Sequence, residues 1–177
     1  MTAPTATPPI GSMAIPSPKQ QFVQALQREH GTTRRVVEAF PADQSELKPH
    51  PRSNSARQLV WTFAVEERLI LLALKNKLDL GGGFPKAPER WDEAVGAFFQ
   101  THAEVMDALQ GASEEDLGGT VKFFTGPGTI GDIPKMEFLW FMLSDQIHHR
   151  GQLSVYLRMA GGKVPSIYGP SADEPWM

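Results

Sequence analysis

The sequence predicts an all-α protein, a bundle of four long amphipathic helices with a small hairpin or irregular loop before the last of them. Apolar residues recur at steps of three or four in four segments of roughly 20–27 residues each. Loops rich in proline and glycine separate these segments. Only residues 120–132 have strand-like content, and a Gly-Pro-Gly turn lies at their centre. Long amphipathic helices joined by such loops are typical of a helix bundle, in which sites form between facing helices.

The composition narrows the classes of function. The chain has 177 residues, 41% hydrophobic and 21% charged, which is typical of a globular protein. Its net charge of −3 lacks the basic excess of nucleic-acid-binding proteins, so we expect no nucleic-acid partner. The sequence has no cysteine, which excludes disulfides, thiolate ligands and a cysteine nucleophile and fits a reducing cytoplasm. No apolar run reaches about 18 residues, so we expect no membrane partner.

Residues 1–17 are interpreted as a disordered or extended leader. Five prolines fall within the first 18 residues. The leader lacks a basic start and a continuous apolar segment, so it does not read as a signal peptide. Met13 is an alternative translation start, which leaves open whether residues 1–12 belong to the native protein. We assign residues 18–177 to one domain, a length sufficient for its own core.

The first and third predicted helices each carry a histidine on or beside an apolar stripe. The first helix is predicted over residues 18–40 and includes His30. The third has Pro88 in its first turn, runs to about residue 110 and includes His102. We interpret both as histidines that pack in or at the edge of the core, with His30 as a reserve metal ligand. His50 lies between two prolines and is predicted to be exposed.

The second predicted helix begins with a capping box. Ser55 is the N-cap and Gln58 follows three residues later, and the helix continues to about residue 77. On its apolar stripe Thr62 and Glu66 lie one turn apart. A buried carboxylate needs a partner, so Glu66 is a candidate site residue. The alternative places Glu66 in solvent beside Glu67 and Arg68.

The fourth predicted helix spans approximately residues 134–162. Asp145 and His149 interrupt its apolar stripe one turn apart, at a spacing that allows both side chains to reach one ion. The structural alternative is an Asp–His or Asp–Arg hydrogen bond inside a helical core. If the second and fourth helices face each other, Thr62 and Glu66 come close to this pair.

Two segments resemble a known family. Residues 147–174, IHHRGQLSVYLRMAGGKVPSIYGPSADE, and residues 55–67, SARQLVWTFAVEE, are similar to segments of the damage-inducible DinB/YfiT-like four-helix-bundle proteins. Members of that family typically bind a divalent metal through three histidines, one on the second helix and two on the fourth. In this chain Thr62 and Asp145 occupy two of the three positions, and only His149 is retained.

The resemblance implies a degenerate metal site with His149 and Asp145 as ligands. The third ligand would be Glu66, His148, His30 or water. Glu66 is alternatively a general base, and His148 and Arg150 are candidate cofactor-binding residues. The implied cofactors are Zn²⁺, Ni²⁺ or Mn²⁺ and a low-molecular-weight thiol, since such a metal lowers the pKa of a bound thiol or water.

Two functions follow from these observations. The first is a metal-dependent enzyme of the thiol-dependent transferase, isomerase or hydrolase class that acts on a small molecule. The second is a metal-free binding module that forms a homodimer, in which Asp145, His148, His149 and Arg150 make a buried hydrogen-bonded network. The family's name also points to a stress response. We place either form in the cytoplasm.

Overall fold

A computed structural model describes residues 15–177 of the chain. The predicted leader therefore lies outside the described residues, except for its last three positions. The elements, in chain order, are α1 (Pro18–Glu38), a 3₁₀ turn (Ala42–Gln44), α2 (Ala56–Leu74), α3 (Trp91–Gly111), α4 (Glu114–Leu117), β1 (Thr120–Gly126), β2 (Thr129–Pro134) and α5 (Lys135–Met159). This order confirms a mostly helical protein with a small hairpin before its last long helix. Within residues 15–177, no helix is both long enough and apolar enough to cross a membrane.

The four long helices pack around two apolar clusters. Helix α2 contacts α3 and α5, and α1 contacts α5 and α3, so each long helix has two long neighbours. The larger buried residues of the first cluster are Phe22, Leu26, Ile70, Leu71, Leu109, Phe138, Leu139 and Leu143. Those of the second are Val36, Val37, Val60, Phe63, Phe98, Leu153 and Leu157. The core is therefore divided along the helix axes, and polar residues occupy the sequence positions between the two clusters.

Capping boxes define the starts of three helices. Ser55 accepts a hydrogen bond from the Gln58 backbone N–H, and the Gln58 side chain accepts one from the Ser55 backbone N–H, as the sequence predicts. Ser17 with Gln20 forms the same motif at α1, and Ser113 with Asp116 forms it at the short α4. These side chains satisfy N–H groups that the first turn of a helix cannot pair internally.

The third helix begins later than the sequence predicts. Pro88 was expected in its first turn, but α3 begins at Trp91. The preceding segment is held against α2, because the Trp61 indole donates to the Pro85 carbonyl at 2.8 Å and Arg57 donates to the Pro88 carbonyl. These contacts engage the Pro85 and Pro88 carbonyls in tertiary hydrogen bonds, and the helix starts after them.

The hairpin packs against the helices. Strands β1 and β2 are antiparallel, and Val121 lies opposite Ile133 in their register. Gly128 occupies the turn with φ of +68°, a backbone conformation that favours glycine. Phe123 of β1 is buried, and its ring centroid lies 5.0 Å from that of Phe138 on α5. The hairpin is thereby fixed beside the helix that carries Asp145 and His149.

Candidate functional site

A layer of polar side chains separates the two apolar clusters. On every long helix these residues fall between positions that belong to the two clusters. We call this set the polar layer; it consists of Glu29, His30 and Thr33 on α1, Glu66 and Glu67 on α2, His102 on α3, and Asp145, Gln146, His149 and Arg150 on α5. Buried polar groups are stable only when they are paired, so the contacts within this layer determine what it can do.

The first cluster of the polar layer joins α2 to α5. The Nδ1 atom of His149 lies 2.8 Å from Oε1 of Glu66 and 3.8 Å from Oδ1 of Asp145. One ligand atom from each of the three side chains lies within 4.8 Å of the other two. Glu66 is 3% exposed, so the structure brings Glu66 inward to the pair that the fourth predicted helix supplies.

Burial and neighbouring charge act strongly on Glu66. Burial raises the pKa of its carboxyl, and the negative charges of Asp145 and Glu67 raise it further, to about 10. Its Oε2 atom is buried and has no hydrogen-bond partner among the described residues. Without a cation the carboxyl therefore keeps its proton at neutral pH.

This donor set fits a divalent cation. One imidazole and two carboxylates are common ligands of Mn²⁺, Fe²⁺ and Zn²⁺, and three protein ligands leave positions open for water or substrate. A cation beside Glu66 would also satisfy its unpaired Oε2 and offset the crowding of negative charge. The side chains of Glu66, Asp145 and His149 are therefore chemically suited to bind a divalent cation.

Thr62 lies one turn before Glu66 but makes a local contact. Its hydroxyl donates to the Gln58 backbone carbonyl at 3.0 Å, within its own helix. A neutral hydroxyl is a weak ligand for a transition-metal ion. Of the two positions on α2, Glu66 is therefore the one that supplies a ligand-type group to the cluster.

A cavity of about 620 Å³ adjoins this cluster. Thr62, Glu66 and Asp145 form part of its wall, together with the amide side chains of Asn54 and Gln58. Its apolar lining includes Trp61, Phe84, Phe123, Phe124 and Phe141. Phe84, Phe124 and Phe141 are about half exposed, so aromatic rings lie where the cavity meets solvent. An apolar pocket with few polar groups is the usual form of a small-molecule site.

His148 and Arg150, although adjacent to His149, face other surroundings. His148 is exposed, and its Nε2 atom lies 2.9 Å from Nε2 of Gln152 on the same helix. Arg150 is 1% exposed and donates to the Glu29 carboxylate at 2.8 Å. It also donates to the Tyr168 hydroxyl at 2.6 Å. Of the four α5 residues in the hypothetical network, Asp145 and His149 therefore lie together. His148 and Arg150 each lie in separate surroundings.

A second cluster of the polar layer joins α1, α2 and α3. Oε1 of Glu67 lies 3.1 Å from Nδ1 of His102 and 3.8 Å from Nδ1 of His30. The two imidazole rings stack with centroids 3.4 Å apart. Both histidines are largely buried, as interpreted from the sequence, and Glu67 is completely buried, unlike the alternative in which Glu66 lies in solvent beside Glu67 and Arg68. The sequence LVWTFAVEERLILLAL contains the signal, because a helix that is apolar nearly all round buries most of its faces.

Comparison with solved structures shows the same fold in other proteins. A DinB-like protein from Bacillus cereus ATCC 10987 has a TM-score of 0.69 and 22% identity, with 83% of this chain and 95% of that chain covered. The DinB-like protein YjoA from Bacillus subtilis has a TM-score of 0.66 and 20% identity, with coverages of 82% and 96%. A conserved protein from Enterococcus faecalis has a TM-score of 0.61 and 18% identity, with coverages of 83% and 98%.

Sequence comparison supplies the family. The uncharacterized protein YrdA from Bacillus subtilis (strain 168) is 48% identical over 42 residues, 24% of this chain. The matched region spans 25% of the length of that relative. The model of the DinB family matches residues 13–176, nearly the whole chain. This protein belongs to the DinB family.

Proposed function

We propose that this protein is a divalent-metal-dependent enzyme that acts on a small molecule, built as a four-helix bundle of the DinB/YfiT-like type. The carrying observation is that the Glu66–Asp145–His149 cluster adjoins the aromatic cavity, since Glu66 and Asp145 also form part of its wall. A metal site beside an apolar pocket combines an activating group with a place for substrate.

The donors favour a metal that accepts both oxygen and nitrogen. Carboxylates suit Mn²⁺ and imidazole suits Zn²⁺ and Ni²⁺, so we propose Mn²⁺ or Zn²⁺ ahead of Ni²⁺ at this site. Such an ion, when bound, supplies Lewis-acid activation of a water or thiol. The chain has no cysteine, so a thiol at this site would come from a low-molecular-weight cofactor.

The residues of the cavity define the substrate class. Five aromatic side chains favour a molecule with an apolar body, because burying apolar surface drives its binding. Asn54 and Gln58 offer amide donors and acceptors to a polar end of the same molecule. We therefore propose transferase, isomerase or hydrolase chemistry on a small amphipathic substrate.

The chain's own groups have separate roles in this proposal. His149 and Asp145 hold the ion and fix its position on α5. Glu66, whose Oε1 lies 2.8 Å from His149 Nδ1, either completes the ligand set or accepts a proton while the other two residues hold the ion. The aromatic lining limits access of bulk water to the reacting groups.

Elemental analysis of full-length protein purified without an affinity tag tests the proposal. We expect that the His149→Ala variant loses one equivalent of Mn²⁺ or Zn²⁺ relative to the unsubstituted chain while its circular dichroism stays helical. His148→Ala is the matched control, because His148 is adjacent but exposed. Equal metal content in all three proteins, after incubation with each ion and gel filtration, would contradict the proposal.

The alternative is the metal-free module that forms a homodimer. Phe124, Ile130 and Phe141, all about half exposed, lie on the hairpin and α5 and favour an apolar contact surface there. Sedimentation equilibrium of the protein and of its Ile130→Asp variant tests this. A dimer that the substitution dissociates supports an interface at the hairpin, and a monomer over the whole concentration range excludes it.

A further inference from the structure

The second cluster of the polar layer unites donors from three different helices. His30 on α1, Glu67 on α2 and His102 on α3 each contribute one ligand-type atom, and these atoms lie within 4.8 Å of one another. The Glu67 side chain is fully buried, and those of His30 and His102 are 11% and 13% exposed. The cluster is thus almost closed to solvent, and it lies on a different side of α2 from the first site.

Two of its polar atoms are unsatisfied. Oε2 of Glu67 and Nδ1 of His30 are buried without a hydrogen-bond partner among the described residues. The 3.8 Å separation between His30 Nδ1 and the nearer Glu67 oxygen is too long for a hydrogen bond. An unsatisfied donor or acceptor in the interior is destabilising, so a natural sequence retains one where a ligand or solvent completes it.

The His30 ring is packed among other rings. Phe98 and His102 lie against it, with centroid distances of 4.6 and 3.4 Å. A neutral imidazole has a free lone pair, which is the form that binds metal ions.

We propose that His30, Glu67 and His102 form a second divalent-metal site, which binds Zn²⁺. Two imidazoles and one carboxylate form a known zinc donor set. Zinc bonds of about 2.0–2.1 Å in a tetrahedral site place ligand atoms roughly 3.3 Å apart, and the observed separations from Glu67 are 3.1 and 3.8 Å. Binding requires only that the stacked rings rotate until their lone pairs converge on the ion.

The enclosure of the cluster indicates a structural role for this ion. It would link α1, α2 and α3 through one centre between the two apolar clusters. An ion that binds the folded chain and not the unfolded chain raises the melting temperature in proportion to the logarithm of its concentration. This site is independent of the proposed enzymatic function.

Zinc stoichiometry of the full chain tests the site. We expect two Zn²⁺ per unsubstituted chain, one in His149→Ala, one in His102→Gln and none in the double variant, measured by competition with a chromophoric chelator. In His102→Gln the introduced amide can still donate a hydrogen bond to Glu67, but the imidazole ligand is removed. His50→Ala is the control, because His50 is an exposed loop histidine.

The outcomes separate this site from the first one. If the unsubstituted chain and His149→Ala each bind one zinc ion while His102→Gln binds none, the second site is supported and the first does not take zinc; the same titration with Mn²⁺ then decides the proposed function. If His102→Gln binds as much zinc as the unsubstituted chain, the second site is excluded. Should the variants unfold, imidazole ¹⁵N resonances of the intact protein give the answer: His30 and His102 must shift on zinc addition, and unchanged resonances overturn the proposal.

Discussion

Glu66 and Glu67 are consecutive residues of α2, yet their carboxylates contact different helices. Glu66 reaches His149 on α5 at 2.8 Å, whereas Glu67 reaches His102 on α3 at 3.1 Å. Successive side chains of an α-helix diverge by about 100°, so a helix packed between two neighbours can direct one of two consecutive side chains to each. The pair therefore places two clusters at the same level along α2, on different sides of that helix.

Metal binding at the first cluster should depend on pH through Glu66. Its pKa is raised to about 10, so an ion that uses this carboxylate must displace a proton at neutral pH. We expect the affinity for Mn²⁺ to rise up to about tenfold per pH unit between pH 7 and 9, the slope for release of one proton. Isothermal titration calorimetry of the His102→Gln protein in buffers of different ionisation enthalpy measures that release.

Glu66→Gln is the control for this prediction. The amide cannot release a proton, so the variant should bind Mn²⁺ weakly and with no pH dependence above pH 7. A pH-independent affinity in the protein that retains Glu66 would show that the ion does not replace the Glu66 proton.

The periodicity of α2 explains why its apolar stripe indicates Glu66 and not Glu67. The stripe that includes Leu59, Phe63 and Ile70 brings Glu66 inward, and these residues are buried. A single stripe describes a helix with one buried side. Helix α2 packs against both α3 and α5, so its buried arc extends beyond the stripe to Glu67. That extension depends on neighbours distant in sequence.

The buried Arg150–Glu29 pair should make the fold sensitive to acid. Burial alone would raise the pKa of Glu29, but hydrogen bonds from Tyr168 and Arg150 and the arginine charge hold it below its ordinary 4.5. A lowered pKa gives stability that is complete above the unfolded value and is lost as the pH falls through the folded value. We expect the free energy of unfolding to fall steeply below pH 4.5.

The Glu29→Gln variant tests the source of that sensitivity. It should lose about 3 kcal/mol at pH 7, because the buried Arg150 charge is left unpaired. Its unfolding free energy should then vary less between pH 3 and 5. Glu38→Gln removes an exposed partner of Arg34 and should change stability by less than about 0.5 kcal/mol. Urea unfolding measures both, and parallel acid profiles for Glu29→Gln and the unsubstituted protein would contradict the assignment.

Tyr168 should stabilise the attachment of the C-terminal segment. Its hydroxyl donates to Glu29 at 2.7 Å and accepts from Arg150 at 2.6 Å, although most of its ring is exposed. We expect Tyr168→Phe to lose about 1–2 kcal/mol in urea unfolding, since both hydrogen bonds involve charged groups. Trp176→Phe removes one exposed hydrogen bond of the same segment and should have a smaller effect. Equal losses would show that the Tyr168 hydroxyl adds nothing specific.

The partners of Arg150 could not be read from its sequence neighbours. It follows His149 directly, and a one-residue step on a helix turns its side chain towards α1. Its partners Glu29 and Tyr168 lie 121 and 18 residues away. Local periodicity shows which residues share a face and does not show which distant charge meets them.

Introducing an imidazole at position 62 should strengthen the proposed metal site between α2 and α5. Thr62 lines the cavity with Glu66 and Asp145, and its hydroxyl bonds only to the Gln58 carbonyl of its own helix, among the described residues. Thr62→His adds a nitrogen donor one turn from Glu66 without leaving a buried group unpaired. We expect the affinity for Zn²⁺ and Ni²⁺ to rise at least about tenfold in the His102→Gln background, because imidazole suits both ions.

Thr62→Val is the control for this prediction. It replaces the hydroxyl with a methyl group and should leave the metal affinity unchanged. Chelator competition measures both variants, and a loss of affinity in Thr62→Val would instead identify the hydroxyl as a ligand.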